Sequence, residues 1–178
     1  GTCAAMRGFL DRFSIGLDFD LYDQSPFKKV KHHLENIFPR LGLTIDDQSK
    51  NYLQYFLKYE SPPNQRNTLK IDIHFPVPRH NDYEPVRFQD IDRILQSQTL
   101  ETMFSNKLVA VMGRYQQNGS VAGRDLFDLH TFLLRGYAFK EAIIQESTGK
   151  TARQYLQELK TFITKYFTQQ IIDEDLNH

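Results

Sequence analysis

The sequence predicts an α+β fold in which a mixed β-sheet precedes a helical C-terminal half. Two observations carry this prediction. Apolar and polar residues alternate with a period of two in the early segments, as in strands with one buried face. From Leu100 onwards, apolar residues recur every three or four positions, as in amphipathic helices. We therefore expect a sheet domain over residues 1–98 and a helical region over residues 99–178.

The first strand is predicted over 13–22, and a helix follows it. Small or acidic residues alternate here with apolar ones: Ser14, Gly16, Asp18 and Asp20 against Ile15, Leu17, Phe19 and Leu21. Pro26 stands where a helix can begin, and apolar residues continue at helical spacing to about Leu41. The aromatic, alternating segment 52–59 predicts another strand, and 61–64 predicts a turn.

The clearest strand is predicted over 69–75, where Lys70, Asp72 and His74 alternate with apolar residues. We expect a short strand at 86–88, after which the chain turns helical. Amphipathic helices are predicted over 100–112, 124–134 and 151–167, with a glycine-containing break at 116–123.

Composition excludes several classes of protein. The chain carries 22 Lys plus Arg and 22 Asp plus Glu, so its formal net charge is zero. This balance argues against a protein that wraps nucleic acid through overall basicity. No apolar run is long enough for a membrane-spanning helix. Cys3 is the only cysteine, which excludes an intrachain disulfide, and we expect a cytoplasmic protein with no membrane partner.

Three aspartates occupy the polar faces of the predicted strands. Asp18 and Asp20 project from one face, roughly 6.6–7 Å apart at the usual rise per residue. Asp72 lies on the polar side of the strand at 69–75, and the three carboxylates meet if both strands belong to one sheet. Oxygen ligands suit Mg²⁺, and substrate phosphates and water complete its shell. Two ligands and a third carboxylate are the minimum for in-line displacement at phosphorus.

An acidic strand face is often simply solvated, and this alternative applies here. Asp is disfavoured inside strands, however, so three such positions favour a site. We interpret His74 as a bystander beside Asp72. The adjacent pair His32 and His33, on a lysine-rich helix, is interpreted as a surface feature.

Lys107 and two aspartates are the candidates in the helical half. Lys107 lies on a helix face that continues to Arg114, and its compact cation suits a triphosphate. Asp125 and Asp128 are three residues apart and share a helix face. The alternative for Lys107 is a solvated helix position, and the alternative for the aspartates is a helix-dipole role near a helix start.

Four segments match a known pattern in chain order. They are Gly1-Thr2 with Arg12-Phe13-Ser14-Ile15-Gly16-Leu17-Asp18-Phe19, then Leu69-Lys70-Ile71-Asp72-Ile73, then Lys107-Leu108-Val109-Ala110 with Arg114, and Arg124-Asp125-Leu126-Phe127-Asp128-Leu129. Together they resemble the AbiEii/AbiGii nucleotidyltransferase toxins. In that family a Gly-Gly-Thr/Ser turn precedes an Arg-x-Ser-x-Asp-(Leu/Ile)-Asp strand.

The resemblance implies a nucleotidyltransferase-like fold and an activity. The implied activity transfers a nucleoside monophosphate from a nucleoside triphosphate to RNA, such as a tRNA 3′ end. The implied donor is GTP or a pyrimidine triphosphate. It implies a toxin encoded beside an antitoxin that regulates transcription. Mg²⁺ or Mn²⁺ is the expected cofactor, held by Asp18, Asp20 and Asp72, and Asp72 would assist the attacking hydroxyl. Lys107 and Asp125 carry over as catalytic residues. The residues expected to contact the nucleotide are Gly1, Thr2, Arg12, Ser14, Lys107, Arg124 and Asp128.

Gly16 departs from the family pattern, which has an acid at this position. If the pair of metal ligands is moved by two residues along the strand, both ligands stay on the same strand face. We therefore favour a working metal site at Asp18 and Asp20. One alternative is a nucleotidyltransferase-fold binding module with impaired catalysis. Another is a metal-dependent nuclease, although no lysine stands two residues after Asp72, where His74 is found.

Overall fold

The computed structural model describes residues 1–14, 16–23 and 26–176. Ile15, predicted to lie on the apolar face of the first strand, falls outside the described residues. The chain divides into two compact units, Gly1–Val77 and Pro78–His178. This division lies before residue 98, and the domain assignment of 1–98 and 99–178 stays a prediction.

Each unit contains a β-sheet and several helices, which confirms the predicted α+β class. The first unit contains α1 (Thr2–Met6), β1 (Gly16–Asp20), α2 (Phe27–Arg40), β2 (Thr44–Gln48), β3 (Leu53–Lys58) and β4 (Thr68–His74). The second contains β5 (Tyr83–Phe88), a 3-10 turn (Gln89–Ile91), β6 (Arg93–Gln98), α3 (Leu100–Asn118), α4 (Gly123–Leu134), α5 (Glu141–Thr148), α6 (Ala152–Tyr166) and α7 (Gln169–Leu176).

The first unit is built on a four-stranded mixed sheet with the strand order β1-β4-β3-β2. β1 runs parallel to β4, whereas β3 is antiparallel to both β4 and β2. The strands predicted at 13–22, 52–59 and 69–75 are confirmed as β1, β3 and β4; β1 and β3 are shorter than predicted, and β4 begins and ends one residue earlier. In the parallel register, Asp18 of β1 is paired directly with Asp72 of β4.

One face of this sheet packs against α2. The ring of Phe38 in α2 meets the ring of Tyr55 in β3 edge-to-face, with centroids 5.1 Å apart. Leu53 and Leu57 flank Tyr55 on the same face of β3, and Ile71 of β4 completes the buried cluster. Because side chains alternate along a strand, the residues between these positions lie on the opposite face. The polar face predicted from the alternation is therefore the face turned away from α2.

The apolar face of β1 is covered less than the alternation predicts. Leu17 and Leu21 pack against the buried cluster, but Phe19 between them is 48% exposed. β1 lies at the edge of the sheet, so its side chains have a neighbouring strand on one side only. The expectation of a fully buried face is wrong at Phe19.

The second unit begins with a two-stranded antiparallel sheet that was only partly predicted. The strand expected at 86–88 extends over the whole of β5, and β6 pairs with it along its length. The expectation that the chain turns helical directly after residue 88 is wrong for Arg93–Gln98. β6 is mostly exposed, so it lacks the buried alternation by which a strand is predicted from sequence.

The helices predicted at 100–112, 124–134 and 151–167 are confirmed as α3, α4 and α6, whereas α5 and α7 were not predicted. α3 continues to Asn118, so the break expected at 116–123 is wrong for its first three residues; the helix ends before Gly119, whose φ of 70° suits glycine. Phe104 of α3 and Phe132 of α4 pack edge-to-face in the core, with ring centroids 5.2 Å apart. Within the described residues, no helix combines the length and apolar character that crossing a membrane requires.

Candidate functional site

The parallel pairing of β1 and β4 brings two predicted ligands side by side. Asp18 and Asp72 are register partners on the face away from α2. His74, two residues after Asp72, shares this face. One ligand atom from each of these three side chains lies within 4.8 Å of the others, and His74 Nε2 is 4.0 Å from Asp18 Oδ1. Among the described residues, this trio is the group of His, Cys, Asp and Glu side chains close enough together to hold a metal ion.

Asp72 is held by two donors that bind the same carboxylate oxygen. Lys70 Nζ lies 2.7 Å from Oδ2 and Gln54 Nε2 lies 2.9 Å from it. Burial raises the pKa of Asp72, but the hydrogen bonds from Lys70 and Gln54 and the charges of Lys70 and His74 outweigh burial and lower the pKa overall. Within the described chain, Oδ1 has no hydrogen-bond partner. Asp72 is therefore ionised at neutral pH, with one oxygen available to a ligand.

The other two predicted strand positions differ in their surroundings. The side chain of Asp18 is 54% exposed. Asp20 is the register partner of His74 and lies outside the trio of Asp18, Asp72 and His74. His74, interpreted as a bystander from sequence, is thus closer to the two carboxylates than Asp20 is. Its position two residues after Asp72, on the same strand face, was the signal that could have identified it.

The donor set of this trio fits a divalent cation. Mg²⁺ is commonly bound by one or two carboxylates, with phosphates and waters completing the octahedron. Asp18 and the available oxygen of Asp72 supply these carboxylates. The imidazole of His74 is a softer ligand that Mg²⁺ rarely uses and that first-row transition metals accept. The residues present therefore suit Mg²⁺ through Asp18 and Asp72, and suit Mn²⁺ through all three.

The predicted nucleotide contacts of the first motif meet at the start of β1. Thr2 Oγ1 contacts the carbonyl oxygen of Gly16 and lies 2.9 Å from Ser14 Oγ. A Cβ on Gly1 would lie 2.8 Å from Ser14 Oγ and 3.5 Å from an Nη atom of Arg12. A side chain at position 1 would therefore displace the hydroxyl group of Ser14 from its present position.

A cavity of about 190 Å³ adjoins this cluster. Its wall includes Thr2 and Ser14, and Gly16 also lines it. A Cβ on Gly16 would make ordinary contacts, 3.6 Å from the carbonyl oxygen of Lys70. Crowding within the chain therefore does not explain the glycine. The cavity is lined by Thr2, Phe13, Ser14, Gly16, Leu17, Tyr59, Arg66, Thr68 and Leu69.

The candidates of the helical half form a separate, buried ion network in the second unit. Lys107 Nζ lies 2.8 Å from Asp125 Oδ1 and 3.0 Å from Asp128 Oδ2. Arg114 Nε lies 3.0 Å from Asp125 Oδ2. The side chains of Asp125 and Asp128 are 4% and 0% exposed, and that of Lys107 is 17% exposed. Two cations thus neutralise two buried carboxylates.

The network keeps Asp125 charged despite its burial. Burial raises the pKa of this carboxyl, but the charges and hydrogen bonds of Lys107 and Arg114 outweigh it and lower the pKa. Asp125 lies in the first turn of α4, yet no side chain caps that helix. Arg124, beside it, is exposed. Asp125 is therefore bound by Lys107 and Arg114, two side chains of α3. The sequence had suggested instead a helix-dipole role for Asp125 and a phosphate contact for Lys107.

The four sequence motifs are divided between the two compact units. The first lies at the start of α1 and on β1 and the second on β4, whereas the third and fourth lie on α3 and α4. A family model described as the nucleotidyl transferase AbiEii toxin of a type IV toxin–antitoxin system matches residues 1–178. The chain belongs to the AbiEii family. A search of curated proteins gave no match to it.

Membership of the AbiEii family implies a nucleotidyltransferase-type toxin of a toxin–antitoxin system, and hence an antitoxin partner. Gly16 stands where the motif of this family has an acidic residue. In the register of this AbiEii protein, Gly16 is paired with Lys70. A carboxylate at position 16 would therefore stand beside the ammonium group that already binds Asp72.

Proposed function

We propose that this AbiEii protein transfers a nucleoside monophosphate from a nucleoside triphosphate to tRNA and releases pyrophosphate, in a reaction that requires Mg²⁺ or Mn²⁺. The observation that carries the proposal is the direct pairing of Asp18 with Asp72 across parallel strands. This pairing brings two carboxylates together on the face opposite the hydrophobic cluster, where they are accessible to a ligand. GTP is the donor that we would test first.

Asp18 and Asp72 hold the cation in this proposal, and His74 joins them when the cation is Mn²⁺. A cation held by these residues would neutralise phosphate charge and orient the phosphates for in-line displacement. Lys70 and Gln54 orient Asp72 by holding its Oδ2, which directs Oδ1 to the ligand. Asp20, the third predicted ligand, has a supporting role next to His74.

The lowered pKa of Asp72 bears on its chemical role. A general base works best when its pKa lies near the operating pH. A carboxylate that is held ionised by Lys70 is a weak base but a good cation ligand. We therefore assign Asp72 to binding, in place of the hydroxyl activation expected from sequence.

Residues at the start of β1 contact the triphosphate in this proposal. Thr2 and Ser14 supply hydroxyl groups beside the cavity, and Gly1 allows their close approach. Arg12 lies near Gly1 and adds a positive charge to this end of the strand. The absence of a side chain on Gly16 leaves strand backbone open to the cavity.

Lys107 and Asp125 serve the reaction indirectly in our proposal. With Asp128 and Arg114 they join α3 to α4 through a neutralised, buried network. An ammonium group bound by two carboxylates is less available to a triphosphate than a solvated one. Arg124, exposed at the start of α4, is the remaining cation of the fourth motif that we would assign to phosphate or RNA contact.

The biological setting follows from the family. We propose a cytoplasmic toxin that is silenced by its cognate antitoxin and inactivates tRNA when the antitoxin is lost. The balanced charge of the chain suits an acceptor recognised over a local surface, because overall basicity is not needed for that.

One alternative function retains support from a specific observation. Gly16 removes an acid that the family motif contains, which favours a nucleotide-binding module with impaired catalysis. The nuclease alternative is weaker, because His74 stands where a nuclease motif has lysine.

A single assay separates these functions. The protein is incubated with Mg²⁺, total tRNA and each nucleoside triphosphate in turn, labelled at the α-phosphate. We expect label to enter the RNA with one preferred nucleotide. Shortened RNA without label would instead identify a nuclease, and nucleotide binding without either change would identify the impaired module.

A further inference from the structure

The cavity at the start of β1 contains a cation that the sequence motifs did not identify. Arg66 lines it together with the predicted phosphate contacts Thr2 and Ser14. Of the described residues that line the cavity, Arg66 is the only charged one. A negatively charged group in this cavity would therefore meet one fixed positive charge and no carboxylate in the wall.

The guanidinium group of Arg66 is only partly used by the protein itself. Its Nε donates to the carbonyl oxygen of Thr68, 3.2 Å away. In the described part of the chain, neither terminal nitrogen has a hydrogen-bond or ion-pair partner. The bond to Thr68 orients the plane of the group, and the two terminal nitrogens keep their donors for a ligand. This planar pair of donors matches two oxygens of a phosphate group.

The position of the cavity along the sheet favours a polyphosphate ligand. Gly16, which lines the cavity, precedes Asp18 by two residues on β1, which corresponds to roughly 6.6–7 Å along the strand. A positive cavity thus adjoins the pair of carboxylates proposed to bind the cation. A polyphosphate can bind both, with one phosphate group in the cavity and another at the cation.

We infer that Arg66 binds a phosphate group of the donor nucleoside triphosphate and so distinguishes triphosphates from monophosphates. This inference rests on the proposed function, since it assigns a substrate contact to the same site. Ser14 and Thr68 add hydroxyl groups around the same phosphate, while the Thr2 hydroxyl is hydrogen-bonded to the Gly16 carbonyl oxygen and to Ser14 Oγ. The RNA acceptor is the other source of phosphate, and the experiment separates the two.

The test compares Arg66→Ala and Arg66→Lys with the wild type and with Arg40→Ala. Arg40 is an exposed arginine at the end of α2 and does not line the cavity. Affinities for GTP, for GMP and for tRNA are measured by calorimetry in Mg²⁺, with each variant checked for an unchanged melting temperature. If another triphosphate is preferred in the transfer assay, that nucleotide and its monophosphate replace GTP and GMP.

We expect Arg66→Ala to weaken triphosphate binding about tenfold or more, as for loss of a charge-assisted hydrogen bond. Monophosphate binding should change little, and Arg66→Lys should recover part of the loss. Arg40→Ala should bind as the wild type does. Equal triphosphate affinity for Arg66→Ala and wild type would overturn the inference and leave the proposed function standing.

A loss confined to tRNA would also overturn the inference, because it would assign Arg66 to the acceptor. A wild type that binds no triphosphate would remove the proposed function together with the inference. Because Arg66 is exposed, its replacement is not expected to unfold the protein. Arg66→Lys keeps the charge and gives a second variant that folds under the same conditions.

Discussion

The surroundings of Lys107 favour a structural role over a role in substrate binding. Its ammonium group bridges two carboxylates that are almost completely buried. Removal of one partner from a buried ion pair leaves a charge without compensation in a poorly solvated place. The residue that looked like a phosphate contact in the sequence is therefore expected to act first on stability.

We predict that Lys107→Ala lowers the free energy of unfolding by about 3 kcal/mol, since it leaves Asp125 with Arg114 alone and removes a cation from Asp128. Urea denaturation followed by circular dichroism measures this. The matched control is Lys150→Ala, because Lys150 and its partner Glu158 are exposed and such pairs contribute at most about 1 kcal/mol. A Lys107→Ala variant as stable as the control, but weaker in triphosphate binding, would restore the phosphate-contact hypothesis.

The lowered pKa of Asp125 predicts a pH dependence of stability. Because its pKa in the folded state lies below the ordinary value of 3.8, the stabilisation is present above that value. It is lost as the pH falls from the ordinary value through the lowered one. Asp125→Asn should therefore be less stable than wild type at pH 7, and the gap should narrow below about pH 4. A gap that stays constant from pH 7 to pH 3 would contradict this account.

At the scale of elements, the sequence predicted strands that bury one face and missed those that do not. β3 and β4 have apolar residues at every second position packed on α2, which is the pattern that alternation detects. β2, with the sequence Thr44–Gln48, is exposed throughout, and β6 is mostly exposed. Backbone pairing alone forms these strands, and pairing leaves no periodic signal in the sequence.

The site was predictable to the extent that it depends on strand faces. Alternation alone placed Asp18 and Asp72 on polar faces, but only the parallel register makes them neighbours and places His74 beside them. The partners of Lys107 lie 18 and 21 positions further along the chain, on another helix. Such contacts depend on how α3 packs against α4, which spacing along the sequence does not contain.

The register of β1 and β4 also predicts which aspartate is indispensable. Sequence alone favoured Asp18 and Asp20 as the metal pair, whereas the register supports Asp18 and Asp72. We predict that Asp18→Asn weakens Mn²⁺ binding about tenfold or more, and that Asp20→Asn weakens it less than about threefold. Calorimetric titration with Mn²⁺ measures both. Equal losses for the two variants would support the shifted pair of Asp18 and Asp20.

Gly16→Asp tests β1 by adding a carboxylate to the strand, whereas the previous variants remove one. A Cβ at this position makes ordinary contacts, so the variant should fold. The new carboxylate would face Lys70, its register partner, and would add a third acid to the strand face. We predict higher Mg²⁺ affinity for Gly16→Asp than for wild type, because ligand charge raises the affinity for a hard cation. Unchanged or lower affinity would indicate that Lys70 neutralises the added charge.

At the scale of the whole molecule, the chain contains two kinds of charged site with different surroundings. In the first unit, an exposed Asp18 and a partly buried Asp72 lie side by side on the sheet face away from α2. In the second unit, buried carboxylates are fully neutralised by Lys107 and Arg114. The chain belongs to the AbiEii family over residues 1–178, and we propose that the first site performs the chemistry and that the second stabilises the helical part.

The most direct test of the central claim is the rate of nucleotide transfer to tRNA by Asp72→Asn, measured beside its melting temperature. We predict a fall of about a hundredfold or more, since loss of a cation ligand removes several kcal/mol of transition-state stabilisation. The melting temperature should stay within a few degrees of wild type, because Asp72 lies on the face away from the hydrophobic cluster. Undiminished transfer by an Asp72→Asn variant that melts like wild type would contradict the account.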